Sequence, residues 1–473
     1  MLPGSWRVAL DPDARRRDDG HVLLGGAPFR VLRFNDRAAR VVERLLGGEP
    51  LGDDPDAQAL ARRLLDAGLV QPLPGPGPRP PGDVTVVVPF CGPAAELAAT
   101  LAALGPTGPS IVVDDASPDA DAVAAAAQRF GARLVRHEAN RGPAAARNTG
   151  WRQAATDVVA FVDGGCLPDP GWLDALLPHL DDPAVAAVAP RITSVASPTL
   201  PEALAAYEQA RPSLDRGARP AAVAPRGRVP FVPTATLVAR RADLEEVGGF
   251  DEGLRFGEDV DLVWRLVAAR RTVRYEPEAT VRHVSRATTR AWLRQRFDYG
   301  ASAAPLARRH DDAVRPLGTA ARVAAAWALA AGGGVVPGVV CAGATTVALA
   351  RKLPPLPDRG REALRLSLQG HAYGGLAIVD ALRRPWWPLL ALAALGSRRG
   401  RRLAALVVVV PPAVEWARER PPLAPLRWIG LRLIDDVAYG SGVWAGCWRG
   451  RSARALRPVL VRDRRPTLPA AAS

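Results

Sequence analysis

Lysine is almost absent: Lys352 is the only one in 473 residues, so the net charge of +14 rests on arginine. With 46 prolines and alanine-rich stretches, that bias reflects coding-DNA composition more than a nucleic-acid surface, and no nucleic-acid partner is expected. Cysteine is scarce and scattered. Cys91, Cys166, Cys341 and Cys447 form no C-x-x-C pair, which argues against a zinc site or a disulfide framework and for a reducing cytosol. Residues 1 to 20 are charged and lack an apolar run, so no secretory signal peptide is expected. Nor does a G-x-G-x-x-G follow the first buried strand, which argues against a dinucleotide site.

What is present centres on Asp83 to Cys166. Asp83–Phe90 is a β-branched run too apolar for a half-exposed strand, which predicts a central parallel strand covered on both faces. A second strand, Ser110–Val113, stops at Asp114-Asp115-Ala116-Ser117, and a third, Val158–Val162, stops at Asp163-Gly164-Gly165-Cys166. Carboxylates at successive strand ends converge on one sheet edge, where open α/β sheets bind ligands. Between them, Asn140-Arg141-Gly142-Pro143 opens an alanine-rich helix whose free N–H groups, with Arg147, suit a diphosphate.

Val-Val-Pro, Asp-Asp-x-Ser, Asn-x-Gly-x-x-x-Ala-Arg-Asn and the Asp163 turn, in that order, resemble the sugar-nucleotide half of inverting family-two glycosyltransferases. The resemblance implies a GT-A-like α/β fold with the donor bound among Pro89, Phe90, Asp114, Asp115, Asn140, Arg147 and Asp163. Asp114 or Asp115 would read the uracil and ribose of a UDP-sugar, and Asp163 would hold a divalent cation, Mn²⁺ or Mg²⁺, against its diphosphate. The family's usual second metal acid falls at position 165. Here it is Gly165, which has no ligand atom.

Downstream, Phe231–Val238 reads as another strand, followed by Gly248-Gly249-Phe250-Asp251-Glu252 and by a helix opening at Glu258-Asp259. An inverting transfer needs a carboxylate to take the acceptor's proton. The family resemblance puts Asp259 there, with Glu258 placing the acceptor, whereas Asp261 reads as an acid favoured by the helix N-terminus. His283 follows the strand Thr272–Tyr275 at the distance where related enzymes carry a metal-binding histidine, beside the alternative of a structural one. Cys166 reads as a small packed residue.

Residues 1–72 predict a small α+β, winged-helix-like module: an alternating strand Phe29–Asn35, a helix Asp36–Leu46, and a helix from Asp56 ended by Gly68 before an apolar strand. Arg30-Val31-Leu32-Arg33-Phe34-Asn35 and Asp66-Ala67-Gly68-Leu69-Val70 resemble PqqD-like modules, in which a substrate peptide adds a strand to an exposed sheet edge. The alternative is a stabilising cap. Residues 73–82 form a Pro/Gly-rich, semi-extended linker, 83–300 the glycosyltransferase-like domain, and 301–473 a helical, partly apolar region.

Arg290–Gly300 alternates arginines with Trp292, Phe297 and Tyr299, which suits a membrane surface, a closing helix or packing against the catalytic domain. Val323–Ala350 holds no charge across 28 positions, yet Gly332-Gly333-Gly334 and Pro337 predict a broken pair of helices. Asp435-Asp436-Val437-Ala438-Tyr439-Gly440-Ser441-Gly442-Val443-Trp444 is distinctive but carries no mechanism by itself.

The whole layout is similar to glycosyltransferases of the mycofactocin system. That resemblance implies glucose transfer from UDP-glucose onto a peptide-derived redox cofactor precursor, building a β-linked chain on the cytoplasmic side of the plasma membrane or in the cytoplasm. The alternatives are a lipid or envelope-polysaccharide acceptor, suggested by the apolar C-terminal region, and a non-catalytic peptide scaffold, suggested by Gly165.

Overall fold

The computed structural model describes residues 1–461 apart from 28, 76, 78, 79, 106 and 357. It comprises two compact units: Met1–Thr199 with Arg211–Arg286, and Leu200–Ala210 with the residues from Ala287 on.

The first unit opens with β1 (Arg7–Leu10), a meander of β2 (Arg15–Arg17), β3 (Val22–Gly25) and β4 (Arg30–Arg33), helices α1 (Asp36–Leu46) and α2 (Pro55–Asp66), and β5 (Val70–Leu73). β5 returns antiparallel to β1. Each helix begins where a side chain supplies an acceptor: Asn35 Oδ1 takes the Ala38 N–H and Asp54 Oδ1 takes that of Asp56. Gly68 follows α2 at φ +66°, as its position in the sequence predicts. Trp6, Leu23, Leu45, Leu64 and Leu69 fill the module's own core.

The linker predicts a module at limited reach, and three of its residues, 76, 78 and 79, lie outside the described residues. The structure docks the module instead. Asp11, 1% exposed, accepts from Gln71 Nε2 and Arg228 Nη2, each at 2.7 Å. Gln71 Oε1 accepts from Arg274 at 2.8 Å, and Arg62 pairs with Asp182 at 2.5 Å. Such buried polar groups leave water only because each meets a partner.

The main sheet is built from β6 (Val84–Phe90), α3 (Ala94–Leu104), β7 (Ser110–Asp114), α4 (Ala120–Arg129), β8 (Arg133–Arg136), α5 (Pro143–Arg152) and β9 (Val158–Val162). It continues through β10 (Cys166–Pro168), α6 (Trp172–Leu176) and β11 (Val185–Val195). After α7 (Glu202–Ala210), which belongs to the second unit, come β12 (Ala221–Ala222), β13 (Thr236–Arg240), α8 (Arg241–Glu246), α9 (Glu258–Ala268) and β14 (Thr272–Val284). The strand order is β10-β14-β11-β13-β9-β6-β7-β8, with β12 on β14. β9, β6, β7 and β8 run parallel and β13 enters antiparallel between β9 and β11. Every residue of β6 and β9 is buried, the reason both read as unbroken apolar runs.

Two strand boundaries depart from the sequence expectation. The strand predicted from Phe231 begins only at Thr236, because Pro230 and Pro233 have no N–H for a ladder. β14 does not stop at Tyr275 but runs on to Val284, a register shift opposite Pro190/Arg191 absorbing residues 277–279. His283 is therefore within the strand, opposite Cys166.

The second unit is helical: α10 (Thr289–Ala301), α11 (Ala303–Arg309), α12 (Ala321–Ala331), α13 (Val335–Lys352), α14 (Arg359–Arg383), α15 (Trp387–Gly396), α16 (Arg398–Glu419) and α17 (Pro425–Arg449), with a small pair of β15 (Gly318–Ala320) and β16 (Val459–Val461). α10 falls in this unit and not with the sheet, although the sequence predicts a domain running from 83 to 300. It is a packing helix: Trp292 is 1% exposed, and buried Arg296 meets Glu208 and Asp435. The Asp435–Trp444 motif lies on α17 and explains itself there. A Cβ on Gly442 would stand 1.9 Å from the Phe297 carbonyl oxygen, so α10 and α17 approach backbone to backbone. Fully buried Asp436 gathers Arg383 at 2.6 Å, Arg384 at 3.3 Å and Arg432. The uncharged stretch breaks at residues 332–334 into α12 and α13, of which α13 is long and apolar enough to cross a membrane.

Burial pushes the Asp11 carboxyl up, but Arg228, the Asp13 N–H and Gln71 outweigh it and hold it below its ordinary value. A depressed carboxylate contributes stability above its unfolded pKa of about 4 and loses it as pH falls through the folded value. Arg228→Ala should therefore lower stability by on the order of 3 kcal/mol near pH 7, with the deficit shrinking below pH 4; urea melts at both pH values read it.

Candidate active site

The parallel strands end side by side, with Phe90 opposite Asp114. Asp114, fully buried, accepts from the Ser117 N–H at 2.9 Å and pairs with Arg136. Asp115 accepts from the Arg141 and Gly142 N–H groups at 2.8 and 2.7 Å and faces His137 Nδ1 at 2.7 Å. Asn140 donates to the Asp115 carbonyl at 3.1 Å. These acids organise the strand-end loop, clamping it onto the turn that starts α5. Pro89 and Phe90 are core residues; the Phe90 carbonyl accepts from the Asp115 N–H at 2.7 Å.

Arg147 does not extend toward an open diphosphate cradle. Buried at 3% exposure, it places Nη2 2.8 Å from both Asp163 oxygens and Nη1 2.8 Å from Glu258 Oε1, with its guanidinium carbon 5.4 Å from the Phe250 ring centroid. Burial disfavours its charge, but Asp163 and Glu258 reverse that and raise its pKa above the usual guanidinium value. Its neighbour Asn148 donates to the Phe250 carbonyl at 2.8 Å and to Glu252 at 2.9 Å, and accepts from the Phe250 N–H at 2.9 Å. One turn of α5 thus ties the strand-end acid Asp163 to the acids of α9.

Those acids divide by environment. Asp261 is buried and spent on Arg265, whose guanidinium also reaches the Val247 and Gly249 carbonyls. Glu258 is pushed up to about 7, first by burial and then by the Asp259 charge, against the pull of Arg147. Asp259 is half-buried and also raised by burial, while the Val260 N–H, Arg147 and Arg216 draw it back down. Arg216 itself stacks over Phe231 at 4.2 Å. The pair can therefore hold and release a proton close to neutral pH, as general acid–base chemistry requires.

The third strand end, Asp163–Cys166, is a turn closed by the Cys166 N–H on the Asp163 carbonyl at 3.0 Å. β10 then pairs with β14, bringing His283 alongside. Burial and Arg286 lower the His283 pKa to about 4, so its imidazole is neutral at physiological pH. Cys166 is fully buried, and burial raises its thiol far out of the nucleophilic range, in keeping with a packing role. Among the described residues no three His, Cys, Asp or Glu side chains gather into a metal cage. A magnesium-type ion commonly takes one or two carboxylates and fills the rest with phosphate and water, which Asp163 and His283 could join.

Sheet topology and acid placement define a GT-A glycosyltransferase, and the family model for glycosyl transferase family 2 matches residues 85–246. The chain is 39% identical over 472 residues, 97% of its length and 98% of the relative's, to the pre-mycofactocin glycosyltransferase of Mycobacterium tuberculosis. It belongs to the pre-mycofactocin glycosyltransferase family. A shorter match, 28% identical over 34% of this chain and 30% of the relative, reaches a probable N-acetylgalactosaminyltransferase of Caenorhabditis elegans. Among solved structures, a Pyrobaculum calidifontis mannosyltransferase in complex with GDP-Man and Mn²⁺ overlaps 76% of this chain and 89% of its own at 19% identity and a TM-score of 0.42. The family rests on the sequence relatives, not on that overlap. The chain is an enzyme, which removes the scaffold alternative.

Sequence reading did not single out His137, Arg136, Arg216 or Glu252. His137 had a visible signal, a histidine between a strand and the Asn-x-Gly turn; the other three are ordinary charges until the fold sets them beside these acids. A carboxyl raised on folding takes up a proton and costs stability above its unfolded pKa. The contribution of Glu258 should thus fall as pH rises from about 4.5 to about 7. Glu258→Gln should flatten the stability profile across that window, measured by denaturant melts at half-unit pH steps.

Proposed function

We propose that this enzyme moves glucose from UDP-glucose onto pre-mycofactocin, a peptide-derived redox cofactor precursor, by an inverting displacement that builds a β-linked chain. The observation that carries the acceptor is the likeness to the pre-mycofactocin glycosyltransferase over nearly the full chain. Asp259 takes the proton from the acceptor hydroxyl as its oxygen attacks the anomeric carbon, and UDP leaves from the opposite face. A carboxylate raised toward working pH suits that step, and Glu258 beside it positions the acceptor. Asp114, Asp115 and Asn140 shape the loop that receives the nucleotide, and Arg147 holds Asp163 and Glu258 in place. A divalent cation on Asp163 and His283 would neutralise the diphosphate as it departs. Asp163, 28% exposed beside Arg147, remains accessible to such a cation.

The docked N-terminal module would present the peptide part of the acceptor along an edge strand of its meander, β2 or β4. A membrane-surface location on the cytoplasmic side is supported by the second unit. Val336, Val339, Val340, Leu392 and Leu395 are exposed on α13 and α15, and Arg398, Arg399, Arg401 and Arg402 open α16. The same apolar helices favour a second reading, a lipid or envelope-polysaccharide acceptor, for which the labelled product would partition into chloroform.

Asp259→Asn should bind UDP as tightly as the wild type by calorimetry and lose about 10²- to 10⁴-fold in turnover, followed by mass spectrometry of the glucosylated product. Undiminished turnover would remove Asp259 from the base role. Glu258→Gln should move the acid limb of the kcat profile to lower pH, because Asp259 then titrates without a neighbouring carboxylate.

A further inference from the structure

Position 165 lacks the carboxylate that the family pattern places there, and its backbone is left-handed at φ +82°. The space is not empty. A Cβ built on Gly165 would lie 2.6 Å from Glu96 Oε1, so a carboxylate from another element already occupies the volume that the residue-165 side chain would fill. Glu96 stands in the first turn of α3, four residues before Thr100, and the two share a helix face. That face is fixed on the turn: the Gly165 N–H donates to Thr100 Oγ1 at 3.0 Å, and Thr100 is fully buried. The Glu96 side chain is exposed and makes no hydrogen bond or ion pair among the described residues. It is an unneutralised acid held over a second acid's turn, two residues from Asp163.

We infer that Glu96 supplies, from α3, the second metal carboxylate that Gly165 cannot, so that the cation is held by Asp163 and Glu96 with the donor diphosphate. This deepens the proposed function and rests on it. The exchange is chemically even, since glutamate and aspartate present the same hard oxygen donors, and two carboxylates with substrate phosphates are a common complement for Mg²⁺ or Mn²⁺. Asp163 can take part while bonded to Arg147, because an ionised carboxylate has about four acceptor sites. Glycine at 165 leaves room for this arrangement, because a side chain there would displace the Glu96 carboxylate.

The test titrates Mn²⁺ into the full-length chain with UDP, reading free Mn²⁺ by electron paramagnetic resonance, independently of turnover. Glu96→Gln should weaken Mn²⁺ binding at least roughly tenfold with an unchanged thermal unfolding midpoint. Glu96→Ala should do the same, and Glu96→Ala with Gly165→Asp should restore binding, because aspartate tolerates a left-handed backbone and returns the carboxylate to its family position. A structural role for Glu96 would not be rescued in that way. If the wild type binds Mn²⁺ with UDP and Glu96→Gln binds it equally well, this inference falls and the glycosyltransferase reading stands. If the wild type binds UDP without Mn²⁺, the cation part of the proposed function falls and this inference with it.

Discussion

A buried guanidinium between two acids sets the terms for the rest of this site. Arg147 meets Asp163 just past the end of β9 and Glu258 at the start of α9, with all three contacts at 2.8 Å. A cation at 3% exposure costs free energy unless paired, and Arg147 in turn draws the Glu258 carboxyl down against its burial. The two halves of the enzyme therefore stabilise each other's ionisation. Asn148 adds a neutral lock one residue later, binding Phe250 and Glu252 by backbone and side chain. The Arg-Asn pair is the joint that ties the Asp163 turn to Phe250, Glu252 and Glu258.

The balance across that joint is not complete, and the imbalance is useful. Glu258, Asp259 and Asp163 together outweigh Arg147 and Arg216, and burial adds to the excess, so Glu258 titrates near neutrality and Asp259 above its ordinary range. An acid kept fully ionised by a perfect ion pair would be a poor proton acceptor at neutral pH. Farther along the sheet edge the opposite design holds. Asp114 and Asp115 are satisfied by Arg136, His137 and three backbone N–H groups, which makes a rigid loop.

Outside the site, buried ion pairs again decide how segments associate. The N-terminal module joins the catalytic sheet through Asp11, Gln71 and Asp182, so a proline-rich connection ends in a docked and not a tethered module. In the second unit Asp435 and Asp436 gather arginines from helices distant in sequence, while glycines on α10 and α17 let those helices touch at the backbone. An arginine-rich composition thereby becomes internal structure as well as surface charge.

Much of this was determined by the sequence alone. Unbroken apolar runs specify buried parallel strands, acids after each run specify a ligand edge, and Gly-Pro before an alanine-rich segment specifies the helix that carries Arg147. The helix over Asp36–Leu46, the Gly68 terminus and the break at residues 332–334 were equally local, since caps and glycines act within one turn. What only the tertiary structure decided were the pairings: Arg147 with two acids, His283 inside a long strand, α10 within the helical unit, and Glu96 in the side-chain space of Gly165. The reason is physical. A charge's partner is set by which elements the sheet and helices bring within about 3 Å, and no periodicity along the chain encodes a contact between residues 69 or 111 positions apart.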